Sequence, residues 1–253
     1  MFTAKTPRIQ KLSELFPGVI AELEVVFNQK TKMYIDWSNV IHWQDKLSWH
    51  FNIKRMKQFF DSFDTIESVK IYTGTLEGNK KSEEAIIELQ GLGYEVITKP
   101  VKHIRISVDA SSVADNSPAL LAQFIKKPLL QHFDIATVTL LNQKLRELNQ
   151  RGIFYIEDMK CNFDVEMGRD MLRDFELDHV QNYILWSVDS DFADPVNQIK
   201  ADGKKPVVFA TSGKVSPELA ETGVYIFDIR KIKEFICWPR EIPAEISSQL
   251  TGI

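Results

Sequence analysis

Three aspartates in this chain follow or open segments that could bring them together. Asp36 ends a short apolar run, and Asp189 follows the almost wholly apolar residues 182–188. Asp164 opens residues 164–177, whose spacing predicts a helix. Converging carboxylates repel one another unless a cation compensates them, and carboxylate oxygens suit hard ions such as Mg²⁺ and Mn²⁺. A metal ion held in this way can activate water for phosphodiester hydrolysis.

Three polar residues near these acids have a structural as well as a chemical interpretation. Asn39 could fix Asp36, bind a phosphate or close a turn. Asp191 lies at the start of a helical segment, so it could be a metal ligand or a helix N-cap. Asp170 lies about 120° around the helix from Asp164, so the two cannot share one face. We therefore assign Asp170 a supporting role.

The elements that must position these residues alternate between strands and helices. Strands are predicted at residues 33–36, 68–73, 94–98, 182–188, 206–210 and 224–228, and helices at 49–63, 82–92, 164–177, 191–201 and 216–222. This alternation predicts an α/β fold with a mostly parallel sheet and crossover helices. Ligands bind outside the carboxyl ends of such strands, so Asp36 and Asp189 should face one crevice.

The alternation breaks between the third strand and Asp164. Here we predict an insertion at about 103–158, with strands at 104–108 and 153–157 and helices at 119–133 and 137–149. Residues 1–30 are interpreted as an N-terminal helical arm, residues 31–235 as the main domain and residues 236–253 as a partly ordered tail. The insertion is expected to form a β-hairpin extension that carries helices.

Composition narrows the class of protein. Of the 253 residues, 44% are apolar and 26% charged, which is typical of globular proteins. Cys161 and Cys237 form no zinc or disulfide motif. No apolar run approaches the ~20 residues that cross a bilayer, and no secretory signal is visible, so we expect a cytoplasmic protein without membrane contact.

The charge distribution bears on nucleic-acid binding. The net charge of −4 gives no overall basic surface, but local clusters of lysine could contact a nucleic-acid backbone. Four lysines follow the second or third strand: Lys80, Lys81, Lys99 and Lys102. Trp43, after the first strand, could stack on an unpaired base, although core packing is the favoured interpretation. His42 is too isolated to assign.

The acids lie in motifs that resemble those of the NYN domain family, a PIN-like group that includes LabA-type and DUF88 proteins. The first motif joins Asp36 to Asn39, and the second is Phe163-Asp164-Val165 followed by Asp170. The third is Ser187-Val188-Asp189-Ser190-Asp191-Phe192. The resemblance runs from about residue 32 to residue 233.

This resemblance implies a three-layer α/β/α PIN-like fold and a ribonuclease that uses Mg²⁺ or Mn²⁺. Carried over by position, Asp36, Asp164 and Asp189 would be the catalytic acids. The same three acids and Asp191 would bind the metal, with Asn39 and Asp170 in support. Trp37 and Val188 stand where the family usually has glycine. Their side chains could narrow the approach to the metal.

Other functions fit less well. The main alternative is a noncatalytic RNA-binding or regulatory module on the same fold. A phosphatase of the haloacid dehalogenase type would need Asp-x-Asp after the first strand, and a Toprim site would need glutamate there. No glycine-rich loop follows Asp36, which excludes a dinucleotide enzyme. The expected substrate is single-stranded or structured RNA, and the apolar helices of the insertion could form a homodimer.

Overall fold

The computed structural model describes residues 1–177, 180–211 and 214–250. The chain divides into two compact units, of which one comprises Met1–Pro100 and Cys161–Ile253 and the other Val101–Lys160. The division into arm, main domain and tail stays a prediction.

The strands, in chain order, are β1 (Thr31–Asp36), β2 (Ile66–Thr75), β3 (Glu95–Pro100), β4 (Lys102–Ser107), β5 (Tyr155–Lys160), β6 (Asn182–Trp186), β7 (Lys205–Ala210) and β8 (Tyr225–Asp228). The α-helices are α1 (Pro7–Leu15), α2 (Pro17–Val26), α3 (Trp37–Ile41), α4 (Trp43–Leu47), α5 (Ile53–Phe60), α6 (Lys80–Gly91), α7 (Lys127–Leu130), α8 (Ile135–Gln150), α9 (Asp164–Leu177), α10 (Ala193–Ala201), α11 (Pro217–Glu221), α12 (Lys233–Ile236) and α13 (Ala244–Gln249). Short 3-10 helices cover Leu121–Gln123, Ser190–Phe192, Ile229–Ile232 and Pro239–Glu241.

Six strands of the larger unit form one parallel sheet in the order β3-β2-β1-β6-β7-β8. From β1 the chain builds outward through β2 and β3, and it then returns to place β6 on the other side of β1. The order therefore reverses between β1 and β6, which is where open parallel sheets bind ligands. Asp36 and the residues after Trp186 meet at this point. The predicted α/β fold class is confirmed.

The two central strands are almost wholly buried, as strands covered by helices on both faces must be. Trp186 at the end of β6 packs edge-on against Phe51 and Phe60, with ring centroids 5.5 and 6.1 Å away. Phe60 belongs to the buried face of α5, together with Met56 and Phe59. This aromatic cluster packs around the last residue of β6, directly before the segment that leads to Asp189.

Helix α9 is held on the sheet by two acids on its inner side. Asp174 accepts hydrogen bonds from Lys70 Nζ at 2.5 Å and from the Tyr34 hydroxyl at 2.7 Å, and Lys32 Nζ lies 3.1 Å from the same carboxylate. Burial alone would raise the pKa of Asp174, but these three partners bring it below its ordinary value. One turn earlier, Asp170 accepts a hydrogen bond from the Tyr72 hydroxyl at 3.0 Å. Together, these contacts of Asp174 and Asp170 form a clamp on α9. The clamp fixes the orientation of the helix and therefore the position of its first residue, Asp164.

The smaller unit contains an antiparallel pair formed by β4 and β5 and the 16-residue helix α8. Asn142 on α8 is fully buried and donates to three carbonyls of the loop 114–117. This contact anchors the loop to the helix. Large apolar side chains of the unit remain exposed, among them Leu140, Tyr155 and Met159.

Some predicted boundaries are wrong. The helix expected at 49–63 is shorter in the structure, where α5 covers Ile53–Phe60, because the side chain of Asn52 caps its first turn and the helix ends at Asp61. The helix expected at 119–133 is a 3-10 turn followed by the four residues of α7. Beyond Trp238, the described tail contains Pro239–Glu241 and α13. No described helix is long and apolar enough to span a membrane.

Candidate functional site

Asp36 is the last residue of β1 and caps the helix that follows. Its Oδ1 accepts the backbone N–H of Asn39 at 3.1 Å, and its Oδ2 accepts the hydroxyl of Ser187 at 3.4 Å. Only 9% of Asp36 is exposed. Burial raises its pKa and the nearby charge of Asp189 adds to this, against the lowering effect of the Asn39 N–H and the Ser187 hydroxyl.

Asp189 lies beyond the end of β6 and begins the 3-10 turn Ser190–Phe192. Its carboxylate accepts the backbone N–H of Asp191 at 3.3 Å, so it is an N-cap as well as a candidate ligand. Its own N–H donates to Ser187 Oγ at 3.3 Å. Ser187 is fully buried and its hydroxyl contacts both aspartates: it donates to the Asp36 carboxylate and accepts the backbone N–H of Asp189.

Asp164 opens α9 and approaches the same acids from the helix side. Its backbone N–H donates to the side chain of Asn162 at 2.8 Å. Its pKa is raised to about 6 by partial burial, by a hydrogen bond shared with the carboxyl of Asp191 and by the charges of Asp189 and Asp191, while Asn162 acts in the opposite direction. The site thus links Asp36 to Asp189, Asp189 to Asp164, and Asp164 to Asp191.

The donor set of these four acids fits a hard divalent ion, because it consists of carboxylate oxygens whose mutual repulsion a cation would relieve. The acids interact as neighbours in a row. Within residues 1–177, 180–211 and 214–250, no group of three or more His, Cys, Asp or Glu side chains is arranged to hold a metal ion. The four acids therefore supply suitable ligand atoms, but the described side chains are not arranged as a preformed coordination site.

The two supporting residues lie differently from the four acids. Asn39 fixes Asp36 through its backbone, while its side-chain oxygen accepts the indole N–H of Trp43 at 2.9 Å. Asp170 bonds to Tyr72 and to the guanidinium of Arg169, with no described contact to the four acids. Asp170 and Asp164 diverge around α9, as their spacing indicates.

The four lysines expected to contact nucleic acid differ in their surroundings. Lys80 and Lys81 are exposed in the first turn of α6, where Lys80 lies 3.8 Å from Glu84. Lys99 is paired with Glu166 at 2.7 Å and lies over the ring of Phe163, so it stabilises the start of α9. Lys102 is exposed on β4 of the smaller unit.

The two residues in place of glycine have separate surroundings. Trp37 packs towards Phe51, with ring centroids 6.2 Å apart. Val188 lines a cavity of about 380 Å³ whose apolar wall also includes Trp43, Leu47 and Trp49. The polar side of this cavity consists of Lys46, Thr211, Lys214 and Arg230. Whether Trp37 and Val188 narrow the approach to the metal stays a prediction.

Sequence reasoning missed Ser187 as a functional candidate, and it missed the cavity. Ser187 lies inside a quoted motif, and its position two residues before Asp189 was the available signal. The cavity had no such signal, since its polar side chains come from three separate segments of the chain.

A mostly parallel α/β sheet with acids where the strand order reverses is consistent with a PIN-like fold. The NYN domain model matches residues 126–230, a range that includes Asp164, Asp189 and Asp191. The low amplitude and bright protein LabA of Synechococcus elongatus is 23% identical over 205 residues, which cover 81% of this chain and 86% of that protein. The resemblance to the NYN family that the motifs indicate is confirmed.

A solved structure agrees at the level of fold. The crystal structure of a protein of unknown function from Vibrio parahaemolyticus covers 82% of this chain and 96% of its own, with a TM-score of 0.50 and 18% identity. The three-layer α/β/α arrangement is therefore confirmed. NYN domains are PIN-like, ribonuclease-type domains that act on RNA and generally use divalent metals.

Proposed function

We propose that this protein is a Mg²⁺- or Mn²⁺-dependent ribonuclease that hydrolyses RNA phosphodiester bonds. The observation that carries the proposal is the row of four acids at the reversal of strand order, where Asp36 and Asp164 have raised pKa values and acidic neighbours. Acids held against one another in this way cost folding stability, and a bound cation would offset that cost. The NYN match supports RNA as the substrate class.

Asp36, Asp164, Asp189 and Asp191 would hold the ion, which when bound supplies Lewis-acid stabilisation and an activated water. The protein's own contribution is to orient these carboxylates. The Ser187 hydroxyl and the Asn39 N–H fix Asp36, and the clamp of α9 fixes Asp164. Lys80, Lys81 and Lys102 are exposed and would contact phosphates of the RNA. Lys99 would contribute less, because Glu166 already neutralises it.

The test is cleavage of single-stranded RNA by the purified protein with Mn²⁺ or Mg²⁺, followed by addition of EDTA. We expect cleavage that stops with EDTA and is lost in Asp36→Asn and in Asp189→Asn. Asp202→Asn is the matched control, because Asp202 is exposed at the end of α10 and contacts only Gln198 among the described side chains. Equal cleavage by wild type, the two site variants and the control would refute the proposal.

The alternative is a noncatalytic RNA-binding module, and one observation favours it. The described acids do not form a group of three around a common point. On this alternative the protein binds RNA with unchanged affinity in Asp36→Asn and cleaves no RNA with any divalent metal. Cys161 and Cys237 are not joined in a disulfide, which supports a reducing, cytoplasmic location in either case. A homodimer through the exposed apolar residues of the smaller unit remains part of the proposal.

A further inference from the structure

The cavity beside the acids lies at the carboxyl ends of four neighbouring strands. Trp43 follows β1, Val188 follows β6, Thr211 follows β7 and Arg230 follows β8. Its volume of about 380 Å³ is within the range of small-ligand sites. Val188 directly precedes Asp189, so the cavity adjoins the candidate metal site.

The apolar wall of the cavity is rigid. Trp43 is 8% exposed and its indole N–H is bound to Asn39, while Trp49 is 3% exposed and packs edge-on against Phe51 with ring centroids 5.0 Å apart. An aromatic wall that is already ordered loses little entropy when a flat ring packs against it. Only the small exposed part of each ring lines the cavity, and a nucleobase would contact it there irrespective of sequence.

The polar side of the cavity carries more positive charge than the protein neutralises. Arg230 is paired with Asp228 through two nitrogens. Lys46 and Lys214 have no carboxylate partner in the described parts of the chain. Three lining cations against one paired carboxylate leave the lining itself with an excess of two positive charges, while the four acids of the candidate metal site lie outside the lining.

This excess indicates which phosphate the cavity would hold. A phosphate monoester carries about −1.5 to −2 charges at neutral pH, whereas an internal phosphodiester carries about one. Two lysine ammonium groups, each a compact charge with three donors, match the monoester. In a nucleic acid, such a group occurs at the phosphorylated end of a strand.

A continuous set of contacts joins the cavity to the acids. Asn39 donates its N–H to Asp36 and accepts the indole N–H of Trp43 with its side chain. A ligand packed against Trp43 would therefore be connected to Asp36, a candidate catalytic acid, through Asn39.

We propose that this cavity binds the terminal, phosphorylated nucleotide of an RNA strand. The phosphate is held by Lys46, Lys214 and Arg230, and the base lies against Trp43 and Trp49. The identity of the strand as RNA rests on the proposed function, whereas the preference for a terminal phosphate rests on the cavity itself.

The experiment measures binding without metal, so that cleavage does not enter. Short RNAs of one sequence carry a 5′-phosphate, a 3′-phosphate or hydroxyls at both ends, and fluorescence anisotropy in EDTA gives their Kd. We expect one of the phosphorylated RNAs to bind about tenfold more tightly than the hydroxyl-ended RNA, as charge-assisted hydrogen bonds to a phosphate produce.

Variants assign the preference to the cavity. Lys46→Ala and Lys214→Ala should each remove most of the tenfold preference and leave binding of the hydroxyl-ended RNA within about twofold. Lys54→Ala is the control, because Lys54 is exposed and does not line the cavity. It should leave the preference intact. Thermal unfolding of each variant checks that the fold is retained.

Three results would overturn the inference. Equal binding of the three RNAs would do so, as would lysine variants that weaken phosphorylated and hydroxyl-ended RNA alike, which is the behaviour of general backbone attraction. AMP that binds as tightly as the phosphorylated RNA would reassign the cavity to a free mononucleotide. Failure of the nuclease proposal is seen separately, because a protein that never cleaves RNA can still discriminate strand ends in EDTA.

Discussion

The clamp on α9 predicts that Asp174→Asn destabilises the protein strongly, although Asp174 is remote from the four acids. Asp174 is the shared partner of Lys70 and Lys32, and the side chains of all three are only 10–12% exposed. The substitution removes the carboxylate that two buried ammonium groups share, although Glu95 still lies 3.9 Å from Lys70. Breaking a buried ion pair by removing one partner costs about 3–5 kcal/mol. Because an asparagine oxygen can still accept the Tyr34 hydroxyl, we expect about 3 kcal/mol.

Urea unfolding measures this loss of the free energy of unfolding. With a slope of about 3 kcal/mol per molar urea, the midpoint should fall by about 1 M. Tyr34→Phe is the matched control, since it removes one hydrogen bond to the same carboxylate, worth about 1.5 kcal/mol, and leaves both ion pairs in place.

Activity provides a second measurement of the same variant. Asp164 lies ten residues before Asp174, or about 15 Å along the helix. Under conditions where Asp174→Asn is still folded, RNA cleavage should decrease because α9 no longer presents Asp164 in one direction. A midpoint shift no larger than that of Tyr34→Phe would refute the reasoning about the ion pairs.

Two further predictions concern the same helix. The pKa of Asp174 is lowered in the folded protein, so its ion pairs contribute stability that is fully present above about pH 4 and is lost as pH falls through the folded pKa. Urea midpoints between pH 5 and pH 2.5 should therefore fall more steeply in wild type than in Asp174→Asn. Parallel curves for the two proteins would contradict this prediction. Tyr72→Phe removes the hydrogen bond to Asp170, so it should lower the free energy of unfolding by about 1.5 kcal/mol and reduce RNA cleavage. Tyr225→Phe is the control, because it removes an exposed hydrogen bond to Glu22 and should leave RNA cleavage unchanged.

The parts of the fold that the sequence predicts well are those determined by local pattern. The almost wholly apolar residues 182–188 predict a strand buried on both faces, and β6 (Asn182–Trp186) is such a strand. The helix at 164–177 has the same bounds in the structure. Apolar spacing was misleading where one side chain sets a helix end, as at Asn52, which caps α5 and so begins the helix four residues after the predicted start.

The clamp and the cavity could not be predicted from one sequence. Lys70 and Asp174 are 104 residues apart, and a lysine inside a strand looks like an exposed position until the helix that covers it is known. The cavity likewise requires the order of β1, β6, β7 and β8, because each strand end contributes one part of its lining. Acids following strands are visible in the sequence, whereas the partners that give each acid its chemistry depend on the topology.

Those partners separate the acids of α9 into two kinds. Asp174 faces two lysines and has a lowered pKa, so its charge stabilises the apo protein. Asp164 faces Asp189 and Asp191 and has a pKa raised to about 6, so its charge is opposed by its own surroundings. One helix thus carries an acid whose charge lysines neutralise and another whose charge is opposed by neighbouring acids. Because a chain needs only the first kind to hold α9 on its sheet, the second kind is the physical argument for a metal-dependent function at this site.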